Sequence, residues 1–172
     1  MKTISMLAFL QGLFFALSAQ GAMTGMDVVS GARHTLDPSS SKATVFVFLS
    51  ARCPCSNGHE GALRALHQEF SKKGFQFVGI HSNQNESPEE TRAHFREASL
   101  PFPVIEDEGA KLADEFRALK TPHVFVKKGE ESLFEGGVDD TSSGVGSKKQ
   151  YLRNALLEID SGKAVREARV GF

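Results

Sequence analysis

The sequence predicts an α/β sandwich, a mixed central sheet with helices on both faces. Short β-branched and aromatic runs alternate with stretches of helical periodicity, the pattern of strand–helix–strand units. The last two strand-like runs are joined by a tight turn, so the parallel unit closes with an antiparallel hairpin. The length of 172 residues makes one domain, large enough to bury a core without disulfide or metal staples.

Residues 1–22 read as a secretory signal peptide. Lys2 gives a basic start, an apolar run extends from Ile4 to Leu17, and Ser18-Ala19-Gln20-Gly21-Ala22 forms a small-residue exit. Gln11, Gly12 and Gln20 interrupt the roughly 20 apolar residues that a retained spanning helix needs. No stable membrane insertion is expected once the signal is removed. The mature protein is expected to be exported, and periplasmic if the source is a Gram-negative bacterium.

Residues 23–42 are weakly patterned and predict an N-terminal extended arm with one short strand. Thr44 to Leu49 is a continuous apolar run, the mark of a strand buried on both faces. A helix is predicted from Pro54 to Lys73, with Ala62, Leu63, Leu66 and Phe70 at helical spacing and Gly74 as its terminator. Phe75 to Ile80 predicts the second core strand. Ser87-Pro88-Glu89-Glu90 is a capping box with Pro at the first helical position, opening a helix to Ala98. A short strand at Phe102–Ile105 and a short helix at Ala110–Arg117 follow. Val124–Val126, the turn at Lys128-Gly129-Glu130 and Leu133-Phe134 predict a hairpin. A polar loop from Asp139 to Ser147 leads to a last helix, Lys148 to Ser161. The expected domain spans 43–165, with a C-terminal tail at 166–172.

Composition removes several function classes. Lys and Arg number 20 against 21 Asp and Glu, a formal charge of −1, which lacks the basic excess of a nucleic-acid binder. Apolar residues at 40% and charged residues at 24% exclude a disordered chain. There is no phosphate-cradling glycine motif, no Ser/His/Asp elbow and no nucleotide fingerprint, so no cofactor is expected. Glu89-Glu90 and Glu130-Glu131 read as cap and turn charges.

The chemistry concentrates at Ser50-Ala51-Arg52-Cys53-Pro54-Cys55-Ser56-Asn57. Pro54 excludes the residue before it from the helical region and is itself suited to the first helical position. Cys53 therefore falls at the N-cap, facing the backbone N–H groups of Cys55 and Ser56. The helix dipole and the Arg52 cation add to this, so Cys53 is expected to have a lowered pKa and to act as a nucleophile. The other reading of the pair, inert core cysteines, suits this junction poorly. Cys55 lies about 200° around an ideal helix from Cys53. Either a strained Cys53–Cys55 disulfide forms, or Cys53 acts alone with Ser56 bonding its sulfur and an external thiol resolving the intermediate. Further on, Lys120-Thr121-Pro122-His123 precedes a strand, and Thr121-Pro122 is a candidate cis peptide.

These stretches, with Asp107-Glu108-Gly109-Ala110-Lys111-Leu112-Ala113 and Gly136-Gly137-Val138-Asp139-Asp140, resemble the thioredoxin-fold redoxins. The likeness is above all to exported TlpA/ResA-like thiol–disulfide oxidoreductases and the AhpC/TSA group. The resemblance implies a thioredoxin-like three-layer sandwich. It also implies a cis Pro122 packed against Cys53, with the Thr121 backbone receiving an incoming peptide. Ser56 holds the place of the family's second cysteine and Arg52 that of its Trp. Ser50 has the spacing of the peroxiredoxin hydroxyl, while Phe46 stands where those enzymes carry Pro.

The expected catalytic set is Cys53, Cys55, Ser56, Thr121 and Pro122. The expected partners are a protein or small-molecule thiol or disulfide and an external reductant. One alternative is a Sco-like Cu(I) metallochaperone ligated by Cys53, Cys55 and His123; His59 reads as a solvated or capping side chain. Another is a redox-silent interaction module. His34, His67, His81 and His94 read as surface residues.

Overall fold

The computed structural model describes residues 23–37 and 40–171. The expected signal peptide at 1–22 lies outside the described residues. Five strands form the main sheet: β3 (Ala43–Leu49), β4 (Phe75–His81), β5 (Val104–Glu106), β6 (His123–Lys128) and β7 (Glu131–Gly136), in the order β5-β4-β3-β6-β7. β3, β4 and β5 run parallel, and β6 and β7 add antiparallel, as the hairpin pattern predicts. β3 lies at the centre with every residue buried, which explains its unbroken apolar run.

The two faces of β3 build two cores. Val45, Val47 and Leu49 join Leu63, Leu66 and Phe70 of helix α1 (Pro54–Phe70), Phe95 of α2 (Pro88–Ala98) and Leu152 and Leu156 of α4 (Tyr151–Asp160). Phe46 and Phe48 face the other way, with Val78, Ile80 and Phe125, under Leu112 and Phe116 of α3 (Lys111–Phe116). The result is the three-layer thioredoxin-like sandwich. The capping box forms as read: the Ser87 hydroxyl accepts from the Glu90 N–H, and the Glu90 carboxylate accepts from the Ser87 N–H. Helix α1 tightens into a 3₁₀ turn at Ser71–Lys73, and Gly74 closes it at φ 88°.

The N-terminal segment corrects the expectation of an extended arm. It is an antiparallel hairpin of β1 (Met23–Met26) and β2 (Arg33–Leu36). Tertiary contacts hold it: the Asp27 carboxylate accepts from the Val104 N–H at 3.0 Å, and the Val28 N–H donates to the Val104 carbonyl at 2.8 Å. The hairpin thus covers the β5 edge. At the opposite edge, the Glu135 N–H donates to Ala168 and the Val170 N–H donates back to Glu135, so the C-terminal segment pairs with β7.

Candidate functional site

Cys53 sits where the C-terminal end of β3 passes into α1. Pro54 occupies the first turn, and Cys53 is the extended N-cap residue at φ −79°, ψ 114°. The sulfur donates to the Thr121 carbonyl at 3.2 Å. Thr121-Pro122 is a cis peptide, so the stretch before β6 delivers that carbonyl to the head of α1. Burial pushes the Cys53 thiol pKa up. Hydrogen bonds with Thr121, the Ser56 and Cys55 backbone N–H groups and the Cys55 side chain outweigh burial, and the net shift is downward. In the thiol form the sulfur makes no cap bond to the helix, so the amides act on the thiolate.

Three details depart from the sequence reading. Cys55 contributes its side chain as well as its backbone N–H to lowering the Cys53 pKa. It lines a cleft of about 440 Å³ together with His59, Thr121, Pro122, Asp139 and Tyr151. The Ser56 hydroxyl is fully buried and accepts from the Ser50 N–H at 3.1 Å rather than bonding the sulfur, so only its backbone serves Cys53. Arg52 is committed to Glu90 through two 2.6 Å contacts, which hold the Glu90 carboxyl at about 2.

The histidines correct the reading further. His59 is buried, with its Nδ1 2.6 Å from the Cys55 carbonyl and its Nε2 3.1 Å from the Asp139 carboxylate. Its place on the buried stripe Ser56-His59-Leu63-Leu66-Phe70 is the signal that marked it. His81 is equally buried, between Glu86 and Glu106. His94 pairs with Glu60 at 2.7 Å, and His67 packs on Phe77 and Phe102. His123 shares its sheet face with Phe125, ring centroids 4.3 Å apart, and burial pushes its pKa down. Its Nδ1 accepts from the Leu119 N–H. Among the described residues no three His, Cys, Asp or Glu gather to hold a metal ion.

Sequence reasoning missed Glu86. This buried carboxylate accepts from the Ser50 hydroxyl, from the Ala51 N–H at 2.8 Å and from the Arg52 N–H at 3.3 Å. Ser50 has no hydrogen left for the sulfur: its one hydroxyl proton goes to Glu86, while its oxygen accepts from Arg52 and Cys53 N–H groups. That weighs against the peroxiredoxin role suggested by its spacing.

Comparison with known proteins places the chain in a family. The AhpC/TSA family model matches residues 22–141, and the chain belongs to the AhpC/TSA family, as a thioredoxin-fold redoxin. No curated protein matches the sequence. Among solved structures, an uncharacterized conserved protein from Geobacillus kaustophilus is 26% identical, with TM-score 0.76 over 88% of this chain and 85% of that one. A hypothetical protein from Sinorhizobium meliloti is 25% identical, with TM-score 0.76 over 90% and 89%. A secreted Mycobacterium tuberculosis disulfide oxidoreductase, 18% identical with TM-score 0.55 over 64% and 80%, shares the fold.

Proposed function

We propose that this redoxin is a thiol–disulfide oxidoreductase with Cys53 as nucleophile and Cys55 as resolving thiol. The observation that carries the reading is the Cys53 sulfur at the head of α1, 3.2 Å from the carbonyl before a cis proline, with its pKa lowered. The Cys53 thiolate attacks one sulfur of a substrate disulfide, forms a mixed disulfide and expels the other sulfur as a thiolate. Thr121 and Pro122 flank the site where the mixed disulfide lies. Cys55, deprotonated, attacks the Cys53 sulfur and releases the second substrate thiolate. The resulting Cys53–Cys55 disulfide is reduced by an external dithiol. The cleft that Cys55 shares with Thr121 and Pro122 supports its resolving role. Ser50, Ser56 and Glu86 shape the segment, and His59 ties the Cys55 carbonyl to Asp139.

Export fits the basic, apolar and small-residue pattern of residues 1–22. Among the described residues no helix is long and apolar enough to cross a membrane. The similar secreted oxidoreductase of M. tuberculosis points the same way. Substrates are accordingly protein or small-molecule disulfides outside the cytoplasm.

Two variants test the assignment with oxidised glutathione as substrate and an external dithiol as reductant. Cys53→Ser abolishes turnover. Cys55→Ser slows turnover and accumulates a glutathione adduct on Cys53, visible by intact mass. Full activity in Cys53→Ser contradicts the assignment of the nucleophile. An unaltered Cys55→Ser contradicts the assignment of the resolver.

A further inference from the structure

Residues 50–53 have left the β3 ladder and have not yet entered α1, so their backbone N–H groups lack secondary-structure partners. Buried amides without partners are costly. Here side chains meet all four. The Ser50 N–H donates to the Ser56 hydroxyl at 3.1 Å. The Ala51 N–H donates to Glu86 Oε2 at 2.8 Å, and the Arg52 N–H to Glu86 Oε1 at 3.3 Å. The Cys53 N–H donates to the Ser50 hydroxyl at 3.1 Å, and that hydroxyl donates to Glu86 Oε1. One carboxylate therefore receives or orients the amides of Ala51, Arg52 and Cys53.

We infer that Glu86 is a positioning residue for Cys53, fixing the Ser50–Cys53 segment in the conformation that presents the sulfur to Thr121. The inference rests on the reading of Cys53 as the nucleophile. A buried carboxylate persists only if paired and hydrogen-bonded. His81 on β4 lies against it, with its Nε2 3.0 Å from Glu86 Oε2 and its Nδ1 3.2 Å from Glu106 Oε2 of β5. From α2, the Thr91 hydroxyl lies 3.4 Å from His81 Nε2, and Glu90 holds the Arg52 guanidinium. Burial pushes the Glu86 pKa up, yet the Ser50, His81, Ala51 and Arg52 hydrogen bonds together bring it below its ordinary value. The charge matters as well as the shape. Four donors converge on two oxygens, and a carboxamide would turn an N–H₂ toward some of them.

The test is the pH profile of iodoacetamide alkylation at Cys53, read by intact mass on a Cys55→Ser background. Glu86→Gln and Ser50→Ala are compared with that parent, after circular dichroism and thermal melting show which variants fold. Glu86→Gln is expected to raise the midpoint of the profile by about one unit and slow alkylation at neutral pH about ten-fold, since a disturbed segment loses charge-assisted hydrogen bonds to the thiolate. Ser50→Ala leaves the Glu86 carboxylate in place but removes its hydroxyl donor and the acceptor of the Arg52 and Cys53 N–H groups, and should shift the profile in the same direction by less. If Glu86→Gln does not fold, Ser50→Ala decides. Folded variants with the parent's profile overturn the inference while leaving the nucleophile assignment intact. A parent that itself titrates as an ordinary thiol overturns that assignment, and the inference with it.

Discussion

At Cys53, the nucleophile proposed above, position rather than residue type is what singles out the thiol. Proline on either side of the gap, Pro54 after the sulfur and Pro122 beside its carbonyl partner, fixes the local backbone, and local constraints are what a sequence displays. The N-cap place of Cys53 was therefore legible in the sequence, whereas the cis Thr121-Pro122 beside it was implied by the family resemblance. Glu86 was not legible, because it follows β4 in a loop without periodicity and meets Ala51 only through the fold, 35 positions away in sequence. The buried polar groups also set an acid response. Against burial, Thr141 and His59 hold the Asp139 carboxyl below its ordinary 3.8, as Glu86 is held below 4.5. A depressed carboxyl contributes stability above its unfolded value, and that contribution is lost as pH falls through the folded value. His123 is depressed from 6.5 by burial, so below 6.5 the unfolded chain takes up a proton that the folded one refuses. Both signs agree: the melting temperature should fall as pH drops below 6.5, and fall further below 4.5 and 3.8. Thermal melts across that range check it, and a melting temperature that rises on acidification contradicts it.

The elements divide by how far each carries its own signal. Helix α2 announced itself through Ser87-Pro88-Glu89-Glu90, and β3 through its uninterrupted apolar run. The β1–β2 hairpin did not, because Met-Thr-Gly-Met and Arg-His-Thr-Leu lack a β-branched alternation and are held by β5. Gly25 shows that dependence: a Cβ there would run into Ile105 Cγ2. Helix α1 offers a sharper contrast. Alanine is favoured over glycine in a helix interior by about 1 kcal/mol. At Gly58, however, a Cβ would sit 2.5 Å from the Ser143 carbonyl oxygen, where the 139–147 loop packs on the helix. The clash wins, and Gly58→Ala should destabilise by about 1–3 kcal/mol. Gly61→Ala, with only the Arg64 side chain nearby at 3.9 Å, should stabilise by up to about 1 kcal/mol. Denaturant midpoints measure both, and a stabilised Gly58→Ala would show that the loop yields.

Across the whole molecule, both edges of the main sheet are closed by segments from outside it, the N-terminal hairpin on β5 and the 168–170 segment on β7. Open edges invite pairing with other chains. This protection was invisible in the sequence because it joins segments distant along the chain. The α/β order and the placement of chemistry at the C-terminal end of β3 followed instead from local patterns. Everything proposed for the molecule turns on Cys53 being a redox-active thiolate resolved by Cys55. Intact mass after alkylation, across a series of glutathione redox buffers, tests that most directly. The expected result is a form lighter by two hydrogens, closed to alkylation and titrating in one step between the dithiol and the Cys53–Cys55 disulfide. Two cysteines that stay reduced and alkylatable in every buffer, or glutathione adducts on Cys53 alone, would contradict it.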